Sequence, residues 1–172
     1  MDIIALQETR LPKSGIIKER DYSFFWQGKA ADKTREHGVG FAIKNNLLGS
    51  VIPPSEGTER LLKLQLQTSA GLVSLISAYA PMLTSASELK DRFYDDLSAA
   101  ISKVPSQEPL FIFGDFNARV GADHSSWPTC LGHFGIGNMN ENGQSLLEHL
   151  LHDKTSAQSV LETPQIYTVA PA

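Results

Sequence analysis

The sequence predicts a layered α/β (α+β) fold, and three observations carry that prediction. Leu62, Leu64 and Leu66 alternate with Lys63, Gln65 and Gln67, the period-two pattern of a half-exposed strand. From residue 85 the period changes: Leu89, Phe93, Leu97 and Ile101 recur every four residues, as on a helix with one apolar face. Several short apolar runs stop at a glycine, a proline or an acidic residue, where functional loops leave a layered core.

In chain order, residues 3–6 read as a buried strand that runs straight into Gln7 and Glu8. A loop with Pro12 and Gly15 follows, then the aromatic strand YSFFWQ at 22–27. The stretch GVGFAI at 38–43 predicts a strand with close backbone packing that ends at the turn dipeptide Asn45-Asn46; its glycines are too few for a dinucleotide loop. Residues 69–71 supply a turn and 72–79 return as a more buried strand, so 62–79 predicts an antiparallel hairpin that Pro81 prevents from extending. Ser85-x-x-Glu88 predicts a capping box before the first helix. Pro105 and Pro109 bound the next loop, and 110–113 is another buried strand. Leu146, Leu147, Leu150 and Leu151 predict a second amphipathic helix starting near 140–143. No internal repeat divides the chain, and the expected organisation is one partial domain over 1–151 followed by an irregular tail over 152–172.

A length of 172 residues suits one domain with a real core, and 41% hydrophobic with 20% charged residues excludes a disordered tail. No apolar run reaches bilayer length, and the first residues lack the basic and long apolar regions of a secretory signal. The single cysteine, Cys130, leaves no internal disulfide and fits a reducing compartment, nucleus or cytoplasm, rather than secretion. The net charge of −4 argues against a surface that coats nucleic acid. Residues 1–44 are the exception, with eight Lys/Arg against six Asp/Glu; Lys29, Lys33, Arg35 and Lys44 are candidate backbone contacts or solvated loop charges.

Three strand ends carry polar groups that an ordinary core does not require: Glu8 in LQE, Tyr79 in YAP, and Asp115 with Asn117 in GDFN. The glycine lets the chain turn tightly where the strand finishes. If 115–117 stay extended, Asp115 and Asn117 share one face while Phe116 points inward. A carboxylate can orient or deprotonate water or protonate a leaving oxygen, whereas an asparagine amide and a tyrosine hydroxyl can donate to phosphate oxygens. Glu8 suits a hard ion such as Mg²⁺, which commonly takes one or two protein carboxylates and fills its shell with water and phosphate. Taken singly, the same residues also read as a loop carboxylate, a packed edge aromatic and an Asx turn.

Together, LQE, GVGFAI, YAP and GDFNARVG resemble the endonuclease/exonuclease/phosphatase superfamily over about 2–151. Within it, the resemblance is to the apurinic-type endonuclease domain of non-LTR (LINE) retrotransposons and to the craniofacial development protein 2-like sequences derived from them. The resemblance implies a two-sheet β-sandwich with outer helices and Mg²⁺-dependent (or Mn²⁺-dependent) hydrolysis of a DNA phosphodiester. It implies Glu8 as the metal-binding glutamate, Tyr79 as the phosphate-contacting tyrosine, Asp115 as the catalytic aspartate and Asn117 as its phosphate-binding partner.

The departures from the family pattern lead to further expectations. An earlier strand ending in asparagine, a Thr-Trp strand, a late aspartate and a terminal Ser-Asp-His are not found; Trp127 falls too early for that strand, and Met82 stands where many relatives are polar. The chain therefore reads as a relative truncated at both ends, weak or inactive alone. Its exposed sheet edges are then open to self-association or a protein partner. A non-catalytic interaction module and a phosphatase are the alternatives. Among the histidines, His37 lies in a basic loop, His124 and His133 follow GDFNA, and His149 and His152 sit on or after the last helix. His124 is the one that merits a test as a substitute base.

Overall fold

A computed structural model describes residues 1–54, 57–128, 131, 133 and 135–152, which form two compact units. The first comprises Met1–Tyr79 and Glu108–Gly114; the second comprises Ala80–Gln107 and the described residues from 115 onward. Cys130 and residues 153–172 of the expected tail lie outside the described residues.

The first unit holds two sheets. Strands β1 (Ile3–Gln7), β2 (Ser14–Lys18), β3 (Tyr22–Gln27) and β4 (Val39–Lys44) form a four-stranded antiparallel sheet in the order β1-β4-β3-β2. Strands β5 (Val51–Ile52), β6 (Gly57–Thr58), β7 (Leu61–Thr68), β8 (Gly71–Tyr79) and β9 (Leu110–Asp115) form the other, in the order β5-β7-β8-β9 with β6 also on β7. The core joins Ile3, Phe25, Val39, Phe41 and Ile43 of the first sheet to Leu62, Leu64, Leu75, Tyr79 and Phe113 of the second. Two inner faces meeting through alternating side chains make a sandwich, and the mixed α/β two-sheet class is as predicted.

The expected hairpin is present, with Leu62↔Ser77 through Thr68↔Gly71 in register and Gly71 at φ +121° closing the turn. Beside it, Ser74 N–H donates to Pro109 O and Ala80 N–H to Asp115 O, so β8 and β9 run in the same direction. A parallel pair needs a long crossover, and helix α1 (Ser87–Ser102) supplies it. Gly114 is required where these strands approach, because a Cβ there would lie 2.1 Å from Ala78 O.

Four expectations need correction. The expected loop with Pro12 and Gly15 contains β2, an edge strand whose Ile16 and Ile17 are both exposed, so it pairs through its backbone without a buried face. Strands β1 and β9 are edges as well, so only Ile3 and Phe113 of their residues are buried. Asn45-Asn46 opens a 3₁₀ helix, Asn45–Ser50, rather than a simple turn. Ser85 forms no capping box: its N–H closes a turn on Met82 O, the N-cap is Ala86, and among the described residues no side chain caps the helix.

The second unit pairs α1 with α2 (Glu141–His152). The buried face of α1 is Phe93, Tyr94, Leu97 and Ile101, while Leu89 in its first turn is 53% exposed. Tyr94 Oη donates to Asn142 O at 3.1 Å and its ring stacks on His149 at 4.6 Å; burial pushes its phenol up to about 12. Asn140 caps α2, its Oδ1 accepting from Gly143 N–H at 2.8 Å and from Arg119 N–H at 2.9 Å. Among the described residues, no helix is long and apolar enough to cross a membrane.

Candidate functional site

Each unit holds one cluster of the predicted residues. In the first, Glu8 follows β1 directly, where the β1–β4 ladder loses its regular register beyond Gln7↔Val39. There Thr9 N–H donates to Gly38 O at 3.1 Å and Arg10 N–H to His37 O at 2.8 Å. Glu8, Arg10 and His37 all take positive φ, at 54°, 54° and 62°. Each such residue costs on the order of 1–3 kcal/mol, and strain of this kind concentrates at functional sites.

That backbone presents the Glu8 carboxylate to two donors. Tyr79 Oη donates to Glu8 Oε1 at 2.6 Å, and Arg10 Nη2 donates to Glu8 Oε2 at 3.0 Å. The Tyr79 phenol first, then Arg10, holds this carboxyl below its ordinary range. It is a carboxylate at neutral pH. Tyr79 reaches it from the end of β8 with its ring buried in the core. The bond joins the ends of two strands, between residues 71 apart in sequence. The tyrosine expected to hold phosphate is engaged with its neighbouring acid.

Two residues absent from the predicted set complete this cluster. Arg60, just before β7, donates through Nη1 to Tyr79 O at 3.0 Å and lies with its guanidinium 5.4 Å from the Tyr79 ring centroid. Its Nη2 is 3.0 Å from His37 Nε2, and the His37 and Tyr79 rings are 5.9 Å apart. Burial first, then Arg60 and Lys29, pushes His37 below its ordinary value. Sequence reasoning left His37 as a loop residue and passed over Arg60. Neither carries a periodic or motif signal, because the pairing that joins them is tertiary.

In the second unit, the GDFN segment turns rather than staying extended. Asp115 Oδ1 accepts the Asn117 N–H at 2.9 Å, and Asn117 takes φ +48°. This is the Asx turn weighed from sequence, and it replaces the shared extended face of Asp115 and Asn117. Phe116 is half-buried and meets Phe93 edge-on at 6.4 Å. Asn117 Nδ2 donates to Ala80 O at 2.9 Å, which leaves its second N–H for another acceptor. Asn142, 2% exposed, ties the turn from behind, donating to Asn117 O at 3.2 Å and to Pro81 O at 3.1 Å. Asp115 is exposed, and among the described residues nothing bonds its Oδ2.

Among the described residues, His124, His133 and His149 make their contacts elsewhere, and the side chain of His152 lies outside the described residues. His124 Nδ1 contacts Leu131 O, and its ring lies 3.8 Å from His133. His149 stacks on Tyr94. For a metal, the fit rests on Glu8. Among the described residues no group of three or more His, Cys, Asp or Glu side chains is placed to enclose an ion. One ionised, half-exposed carboxylate nevertheless matches a hard ion that keeps most of its water and takes further oxygens from phosphate.

Comparison with known proteins agrees with the fold. The family model described as "Endonuclease/Exonuclease/phosphatase family" matches residues 1–163. Craniofacial development protein 2 of Bos taurus is 27% identical over 154 residues, covering 90% of this chain and 25% of the relative. The Tragulus javanicus protein of that name is 26% identical over 171 residues, covering 98% and 29%. The chain thus spans between a quarter and three-tenths of the length of these relatives. The solved endonuclease domain of TRAS1, a telomere-specific non-LTR retrotransposon, superposes with a TM-score of 0.51 at 18% identity, covering 76% of this chain and 52% of that one. On the family match, which takes in most of its length, this chain belongs to the endonuclease/exonuclease/phosphatase family.

Proposed function

We propose that this chain carries a metal-assisted phosphodiesterase site directed at DNA. The observation that carries the reading is the Glu8–Tyr79 bond of 2.6 Å, which joins an ionised carboxylate and a phenolic donor from separate strands on a strained backbone. Membership of a nuclease and phosphatase family supports the reaction class. The likeness to a retrotransposon endonuclease and to craniofacial development protein 2 motivates DNA as the polymer.

The residues divide the work by their chemistry. Glu8 would hold Mg²⁺ (or Mn²⁺), which when bound supplies positive charge to offset the phosphate oxygens. Tyr79 Oη, once released from Glu8, donates to a phosphate oxygen. The spare Asn117 N–H does the same. Asp115 turns one oxygen to the Asn117 amide, leaving the other to orient the attacking water, accept its proton and pass that proton to the leaving oxygen. A single carboxylate holds a metal weakly, so activity in the isolated chain is expected to be low and to need millimolar metal. A DNA substrate and a thiol-reducing setting would suit the nucleus or cytoplasm.

The test is nicking of supercoiled plasmid with Mg²⁺, comparing the chain with Asp115→Ala. Metal-dependent nicking that the substitution abolishes supports the reading. Nicking that ignores the metal or the substitution contradicts it.

A further inference from the structure

We propose that Arg60 and His37 form a clamp that seats the Tyr79 phenol, which makes both of them positioning residues; the inference rests on the phosphodiesterase reading above. Arg60 grips Tyr79 three ways. The Tyr79 N–H donates to Arg60 O at 2.8 Å, Arg60 Nη1 donates back to Tyr79 O at 3.0 Å, and the guanidinium sits 5.4 Å from the ring centroid. The third side is His37, whose ring is 5.9 Å from that of Tyr79 and tilted by 53°. Its Nε2 is 3.0 Å from Arg60 Nη2.

Donor chemistry then fixes the state of the imidazole. A guanidinium has only N–H donors, and Arg60 Nη2 lies 3.0 Å from His37 Nε2 and 3.5 Å from Nδ1, so one imidazole nitrogen accepts and the ring that holds Arg60 is neutral. The lone pair of His37 is spent on Arg60, so in this arrangement the imidazole takes no proton from water. Its contribution is to hold Arg60 in place. The backbone anchors the clamp from both directions. His37 O accepts from Arg10 N–H at 2.8 Å, and Gly38 N–H donates to Glu59 O at 3.0 Å. Gly38, at φ +97°, leaves no room for a side chain, since a Cβ would lie 2.3 Å from Thr9 Oγ1. The clamp therefore connects the residues beside Glu8 to those beside Tyr79. A lysine at 60 keeps the charge but cannot hold a carbonyl, an imidazole and a ring face together.

The test has two arms. In plasmid nicking with Mg²⁺, Arg60→Lys and His37→Gln are each expected to lower kcat about tenfold with KM changing less than threefold. Because the clamp acts through Tyr79, Arg60→Lys added to Tyr79→Phe should cost less than a further twofold. A fully multiplicative double variant overturns the clamp. The second arm needs no activity: in protein labelled with ¹³Cζ-tyrosine, the resonance lost in Tyr79→Phe is followed in the other variants. It should move in Arg60→Lys and His37→Gln as it does in Glu8→Gln. A resonance that stays put in both overturns the clamp. If the wild-type chain does not nick DNA, the proposed function fails while this second arm still decides the clamp.

Discussion

Asn142→Ala should loosen the GDFN turn and lower stability by a predictable amount. The Asn142 amide is buried and donates two hydrogen bonds, to Pro81 O at 3.1 Å and Asn117 O at 3.2 Å. Two neutral bonds contribute about 1 kcal/mol each, and stranding the carbonyl of buried Pro81 adds about 1 kcal/mol. Against this, Asn142 Oδ1 is buried without a partner among the described residues, so its removal returns about 1 kcal/mol. The net loss is about 2 kcal/mol, which for a chain of this size lowers Tm by about 4–8 °C. Thermal melts monitored by circular dichroism read the shift, and hydrogen exchange of a peptide covering 115–120 reads the loosened turn. Asn142→Asp should be worse than alanine, because it removes both donors and buries a carboxylate. An alanine variant that melts within about 1 °C of wild type, or an aspartate variant that equals wild type, would refute the reasoning.

Gly114→Ala forces a Cβ to within 2.1 Å of the Ala78 carbonyl, so β8 and β9 must part; we expect a loss of about 2 kcal/mol in urea unfolding. Gly49→Ala, with nothing among the described residues within 4 Å of the added Cβ, is the control and should stay within about 0.5 kcal/mol. His37 is held below its ordinary value of 6.5, so the unfolded chain takes up a proton before the folded one does. Stability linked to His37 is therefore full above that value and falls as pH drops through it toward the lower folded value. Melts between pH 7.5 and 5.5 should fall more steeply in wild type than in His37→Gln, and the reverse order would contradict the assignment.

The parts of the fold legible in the sequence are those in which one face is buried and the other is wet. The β7–β8 hairpin showed through Leu62, Leu64 and Leu66 because alternation records which face is buried. Strand β2 did not, since Ile16 and Ile17 are adjacent, point to opposite faces and are both exposed. The first turn of α1 misled for a related reason: Leu89 keeps the helical spacing but stays exposed, and Tyr94 takes its place on the buried face. Glu8, Tyr79, Asp115 and Asn117 were singled out because a strand end makes an acid, a phenol or an amide conspicuous. Arg60, His37 and Asn142 were not. Each acts through a backbone carbonyl or a ring brought near only by strand pairing or helix docking, and no local pattern encodes that.

The most direct measurement is the Mg²⁺ dependence of plasmid nicking by the purified chain, with Glu8→Gln and Asp115→Ala prepared in parallel. The account predicts slow, millimolar-Mg²⁺-dependent conversion of supercoiled to nicked circles that chelation stops and both substitutions abolish. Nicking that persists unchanged in both variants, or no nicking at any metal concentration, would contradict it.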